Sequence, residues 1–231
     1  MTINYIDFLA ALSVNYAHPG GLFATYQSLD NLNVTDSSKI LEIGCGTGQT
    51  TATIADMYTC EIIGIDNNDR MVAQASGHLR NNNSVTVQKA SAEFLPFESN
   101  IFDVIISESV LVFTSIDRSL REASRVIKPK GKLILLEMTK EKTLTQSEEE
   151  EIKQFYGVTA ILSELEWIAK LHEYGFTINT IENVKNDGKS EATFNNPDVM
   201  DDTLLDLMIQ HYNMNEKYKH KLGARIYFCQ L

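Results

Sequence analysis

Apolar positions along this chain fall into two alternating rhythms: short buried runs, and longer stretches in which apolar residues recur at helical spacing. The first buried run is Ile40, Leu41 and Ile43, which leads into three glycines at 44, 46 and 48. Further strands are expected at Glu61–Asp66, Val85–Gln88, Phe102–Ser107, Leu133–Met138, Phe176–Ile181 and Ala224–Gln230. Between them a helix starts near Gln49, a second carries Met71, Val72, Ala75 and Leu79 on one face, and a third, Asp117–Ile127, turns Leu120, Ala123 and Ile127 inward. Leu165, Ile168 and Leu171 share the face of another. Regular alternation of strand and helix predicts an α/β fold, a doubly wound sheet covered by helices on both faces.

Local punctuation sharpens the boundaries. Lys128-Pro129-Lys130-Gly131 should end a helix and turn the chain, Ser147 with Glu150 and Ser163 with Glu166 both spell capping boxes, and Gly175 sits where a helix cap belongs. Two segments lie outside the alternation. Residues 1–38 hold an apolar stretch at Ile6–Val14, the turn His18-Pro19-Gly20-Gly21, and a helix presenting Leu22, Phe23, Tyr26 and Leu29. Residues 185–222 begin with the turn Asn186-Asp187-Gly188-Lys189, pass Asn196-Pro197, and then place Leu204, Leu205, Met208, Ile209 and Tyr212 on one helical face. Each segment either covers a pocket or packs on the sheet.

Composition narrows the setting. A chain of 231 residues, 43% hydrophobic, suits one domain. It divides into an N-terminal helical cap at 1–38, a core at 39–184, an insertion or lid at 185–222 and a last strand at 223–231. No apolar run approaches the ~18 residues of a membrane span, and the start Met-Thr-Ile-Asn-Tyr-Ile-Asp lacks the basic region of a signal peptide. A cytoplasmic protein is expected. Cys45, Cys60 and Cys229 show no paired spacing, and the five histidines no metal-ligand spacing, so neither disulfide nor metal site is expected. The net charge of −11 opposes binding to nucleic acid. The run Glu148–Glu151 is either a solvated helix start or a docking patch for a basic partner.

The chemistry starts at the glycines. A tight turn between a buried strand and a helix aims free N–H groups at a ligand. Glu42, two residues before the first glycine, disfavours phosphate and suits a cation, while position 49, where a dinucleotide fold wants its third glycine, is Gln. This points to S-adenosylmethionine, with NAD as the lesser alternative. Asp66 closes the second strand 22 positions after Gly44, where an acid can accept from both ribose hydroxyls or cap a helix; Asn67 stands beside it to assist. Cys45 is either a small packing residue or a nucleophile.

Glu42-x-Gly44-x-Gly46-x-Gly48 resembles the first motif of the class I S-adenosylmethionine-dependent methyltransferases. Ala90-Ser91-Ala92-Glu93-Phe94-Leu95-Pro96-Phe97 is similar to the Asp-Ala-Glu-x-Leu-Pro-Phe segment of their small-molecule members of the ubiquinone/menaquinone-biosynthesis type, with Ser91 in place of the aspartate. The resemblance implies a mostly parallel Rossmann-like sheet of seven strands, ordered 3-2-1-4-5-7-6 with the last strand antiparallel. It also implies that Met71 packs on adenine, or else belongs to the core of its helix. Ser91 and the Ala92 N–H would meet the adenine edge, with Glu93 either an accessory acceptor or an exposed acid. The Ser107 carbonyl would receive the methionine ammonium.

The activity implied is transfer of a methyl group to O, N or C of a small molecule. Two alternatives stay open: a protein methyltransferase with a basic substrate, and a cofactor-binding module without catalysis. Methyl transfer needs alignment more than a catalytic triad, and a base only where the acceptor must lose a proton. Glu108, after the fourth strand, could orient or deprotonate the acceptor, or cap the next turn. His18, before the glycine pair, lines the pocket or shapes a turn; in the pocket reading it or Tyr16 is presented to the acceptor. Oligomeric state is not legible.

Overall fold

The computed structural model describes residues 4–30, 32–184, 193–194 and 201–231. The chain runs α1 (Tyr5–Leu12), β1 (Val14–Asn15), α2 (Gly21–Leu29), β2 (Lys39–Ile43), α3 (Gln49–Met57), β3 (Glu61–Asp66), α4 (Asp69–Leu79) and β4 (Val85–Lys89). It continues with β5 (Phe102–Glu108), a 3₁₀ turn at Leu111–Phe113, α5 (Ile116–Val126), β6 (Ile127–Lys140), α6 (Gln146–Tyr156), α7 (Glu164–Glu173), β7 (Thr177–Asn183), β8 (Thr193–Phe194), α8 (Asp202–Tyr218) and β9 (Leu222–Gln230).

Seven strands form the main sheet in the order β4-β3-β2-β5-β6-β9-β7. The first five are parallel, and β9 lies antiparallel between β6 and β7. This is the expected fold class, last strand included. Successive residues of a strand face opposite sides, and β2 feeds two cores accordingly. Leu41 and Ile43 join Ile105, Leu133, Leu120 and Trp167 on one side, while Ile40 joins Ile106, Ile134, Leu29 and Ile54 on the other. Strands buried on both faces read as unbroken apolar runs, which is why the central ones were legible. Among the described residues no helix is long and apolar enough to cross a membrane.

Several local expectations need correction. The first capping box sits at Thr145 and Glu148, not Ser147 and Glu150: Thr145 Oγ1 accepts the Glu148 N–H and Glu148 Oε2 accepts the Thr145 N–H at 2.9 Å. Four consecutive glutamates offer the motif in more than one register, and the earliest one starts α6. The second box, Ser163 with Glu166, forms as expected. Strand β6 begins at Ile127 because α5 ends at Val126 and the Lys128–Gly131 turn becomes a bulge in the ladder, with Lys130 at φ 67°.

Helix α2 buries Ala24, Thr25, Ser28 and Leu29, leaving Phe23 and Tyr26 exposed at 38% and 49%. Its small residues, rather than its aromatic ones, let it lie close on α3 and β6. Helix α8 buries Leu204, Met214 and Tyr218, while Leu205, Ile209 and Tyr212 face outward. The turns at 186–189 and 196–197 lie outside the described residues. At the N-terminus α1 packs on α6 and α8, and Val14 and Asn15 pair with Phe194 and Thr193.

Candidate functional site

The carboxyl ends of β2, β3 and β5 meet at the glycine loop. Gly44 N and Cys45 N both donate to the Ile65 carbonyl, at 2.7 and 2.8 Å, and Gly48 N closes the turn onto the Cys45 carbonyl at 2.8 Å. All three glycines have left-handed backbones, but for different reasons. A side chain on Gly44 would strike Val110, and one on Gly48 would crowd Ala75 and Leu79. At Gly46 the corresponding space is open. Among the three, Gly46 has the open side. Cys45 is buried, and burial drives its thiol pKa far up, which suits packing and not nucleophilic attack.

Three carboxylates surround this loop. Glu42 is buried on the α3 side of β2 and accepts the Thr51 hydroxyl; burial pushes its pKa up to about 8, with the Thr51 bond acting the other way and Glu108 and Asp66 adding repulsion. Asp66 accepts the Gly46 N–H on Oδ2 at 3.0 Å and the Asn68 N–H on Oδ1 at 2.9 Å. Burial raises its pKa against those bonds. The cap of α4 is Asn68, whose Oδ1 accepts from Arg70 N and Met71 N, so Asp66 is not the helix cap. Asn67 is exposed, and Met71 is buried.

In the segment after β4, the Ser91 hydroxyl accepts the Glu93 N–H at 3.2 Å and its carbonyl the Phe94 N–H, a local turn that leaves Ala92 buried. Glu93 accepts the Ser115 N–H at 2.9 Å and reaches Arg118 at 3.5 Å. It is the N-terminal anchor of α5. On β5 Ser107 is fully buried, and its hydroxyl has no partner.

The N-terminal segment lies across this ensemble. Asn15 Oδ1 accepts the Thr47 hydroxyl at 3.0 Å, and the Tyr16 and Thr53 hydroxyls lie 3.1 Å apart. His18 Nε2 stands 3.3 Å from Glu108 Oε2, with the two side chains 7% and 6% exposed. The same Oε2 accepts Thr50 Oγ1 at 2.8 Å and Thr25 Oγ1 at 3.2 Å, while Oε1 is buried without a partner. The two residues singled out separately in the sequence, His18 and Glu108, are thus neighbours. Sequence reasoning missed Thr25, Thr50, Asn15 and Thr47. The threonines directly after the glycine loop were the one available signal, since hydroxyls there face whatever the loop faces.

Among the described residues, no lysine or arginine pairs with Glu42, Asp66 or Glu108. Buried carboxylates without a cation, the orphaned Ser107 Oγ and Glu108 Oε1, and the open side of Gly46 fit a ligand that brings positive charge and hydrogen-bond donors. S-adenosylmethionine, with its sulfonium and ammonium, is such a ligand.

Fold and glycine loop together define a class I S-adenosylmethionine-dependent methyltransferase, and the chain belongs to that family. Residues 41–135 match the family model described as "Methyltransferase domain". Across 230 residues the chain is 32% identical to the uncharacterized methyltransferase YodH of Bacillus subtilis (strain 168), covering 97% of this chain and 98% of that one. It is 38% identical over 119 residues to the ubiquinone/menaquinone biosynthesis C-methyltransferase UbiE of Pasteurella multocida (strain Pm70), 49% of this chain but 44% of that protein. Among solved structures the [4+2]-cyclase SpnF superposes with a TM-score of 0.76 at 22% identity, covering 96% of this chain and 90% of that one. Phosphoethanolamine N-methyltransferase 2 of Haemonchus contortus, in complex with S-adenosyl-L-methionine, does so with a TM-score of 0.76 at 20% identity, over 97% and 56%.

Proposed function

We propose that this methyltransferase acts on a small molecule held beneath the N-terminal segment, with Glu108 and His18 facing the acceptor. The observation that carries the reading is the buried His18–Glu108 contact, made across the mouth of the sheet by a segment that also touches the glycine loop. UbiE is named for a small-molecule biosynthesis, which supports the same substrate class. The acidic run that would serve a basic protein substrate is engaged within the chain: Lys221 binds Glu148, Lys217 binds Glu151, and Lys153 binds Glu149.

In this reading Asp66 binds the ribose hydroxyls with Asn67 beside it, and Met71, Ser91 and Ala92 surround adenine. Glu42 and the Ser107 carbonyl complement the positive methionine half, and Gly44, Gly46 and Gly48 shape the loop around it. The bound cofactor supplies a methyl already activated by its sulfonium charge. The chain's residues align the acceptor and exclude water. Glu108 Oε1, without a hydrogen-bond partner among the described residues, would accept an acceptor O–H or N–H. With Thr25, Thr50 and His18 Nε2 all on Oε2, the carboxylate keeps one orientation as it takes the proton and becomes neutral.

Methyl-labelled cofactor incubated with the protein and a metabolite extract tests the assignment. Label in a low-mass compound is expected. Label confined to protein would overturn the small-molecule reading.

A further inference from the structure

One more acid is sealed inside the molecule and has no part in the roles above. Glu137 lies in β6 next to Leu136, the sheet partner of Glu108, and is 0% exposed. Its Oε1 accepts the N–H groups of Val110 at 3.1 Å and Leu111 at 2.7 Å, while Oε2 is buried without a partner. Those donors open the 3₁₀ turn Leu111–Phe113, directly after the strand that delivers Ser107 and Glu108. A buried acid with no cation is a costly way to satisfy two N–H groups.

What it holds explains its place. Val110 presses on Gly44: its two γ-carbons lie 2.2 and 2.9 Å from where a Gly44 side chain would begin. Ser109, between Glu108 and Val110, is pinned by its N–H to the Leu136 carbonyl at 2.7 Å, in a left-handed conformation with φ 59°. The post-β5 loop is therefore gripped by Glu137 from one side and seated on the glycine loop on the other.

We propose that Glu137 is a positioning residue for methyl transfer: acting through Val110, it sets the glycine loop and the Ser107–Glu108 segment at a fixed distance from each other. This rests on assigning those two elements to cofactor and acceptor. Its carboxyl works as a geometric acceptor, so glutamine, which keeps a carbonyl oxygen in the same position, should replace it. Methionine, of similar length without that acceptor, should not.

Titration of Glu137→Gln and Glu137→Met with S-adenosylmethionine, alongside hydrogen exchange at Val110 and Leu111, tests this. Glu137→Gln should bind within about threefold of the parent and keep both amides protected. Glu137→Met should bind at least tenfold more weakly, with both amides exchanging fast and the rest of the sheet protected. A folded Glu137→Met that binds like the parent overturns the proposal, as does a Glu137→Gln that fails as badly as Glu137→Met. Should Glu137→Met not fold, Val110→Ala decides: it trims the contact with Gly44 and should weaken binding, and unchanged affinity rejects the role. If the parent itself does not bind the cofactor, the cofactor assignment fails and not the coupling, which the exchange data still report.

Discussion

Asp66 Oδ2 accepts the N–H of Gly46 at 3.0 Å, so the acid at the end of β3 holds the tip of the loop that follows β2. One side chain thus links the two strands whose ends frame the proposed cofactor position, and its other oxygen holds the start of the next turn through Asn68.

Asp66→Ala should weaken S-adenosylmethionine binding by at least about tenfold. Hydrogen bonds to an ionised group contribute ~1.5–3 kcal/mol each, and ~1.4 kcal/mol is a factor of ten. Calorimetric titration of the folded variant checks this; an unchanged dissociation constant would remove Asp66 from the ribose site.

His18→Ala should lower turnover by roughly 10²-fold while leaving cofactor affinity nearly intact, the usual scale for a lost general base or its partner. If His18 only shapes its turn, the melting temperature drops and turnover per folded molecule stays normal. Once the labelled acceptor is known, these two measurements on one variant separate the roles.

Cofactor binding should release a proton near neutral pH. Burial holds Glu42 protonated up to about pH 8 in the cofactor-free protein, and a neighbouring cation favours the ionised form. Affinity should then rise from pH 6 to 8. Calorimetry in two buffers of different ionisation enthalpy measures the proton, and Glu42→Gln should abolish both the release and the slope. The same shift acts on stability with the opposite sign. The unfolded chain loses the Glu42 and Glu137 protons near pH 4.5, while the folded one keeps them to about pH 8. The stability these acids contribute is therefore complete below about pH 4.5 and is lost progressively as pH rises through that window, so the cofactor-free melting temperature should fall there.

The glycines should separate by variant. Gly44→Ala carries the ~1–2 kcal/mol of a left-handed alanine and in addition forces a methyl into Val110, a further ~1–3 kcal/mol on the scale of core overpacking. Gly46→Ala meets open space and should cost only the ~1–2 kcal/mol of a left-handed alanine, while reducing cofactor affinity. Thermal melts paired with titrations check both; equal melting temperatures for the two variants would contradict the packing described here.

Much of the sheet was legible because β2, β5 and β6 are buried on both faces and the central parts of their sequences are mostly apolar, with Glu42 and Glu137 as the acids that interrupt β2 and the Leu133–Met138 run. Their order was not, since periodicity carries no information about neighbours; it came from the family resemblance. Helix faces misled where burial followed size and not hydrophobicity, as in α2, where Thr25 and Ser28 go inside and Tyr26 stays out. Within the site, Asp66 and the glycines stand at readable spacing. The meeting of His18 with Glu108 depends on how the N-terminal segment folds back, and no local pattern records that. Glu137 did leave a trace, as the one acid in the apolar run Leu133–Met138.

The antiparallel strand β9 has a consequence for how the protein is made. It is the last of the described strands, yet it occupies an interior place and, among the described residues, is what links β6 to β7 within the main sheet. During synthesis β7 emerges with no neighbour to pair with, and β6 offers a bare edge of backbone donors and acceptors until residues 222–230 leave the ribosome. That edge, with Leu133–Leu136 along it, is a sticky surface in the nascent chain. Removing residues 222–231 would leave a sheet split in two.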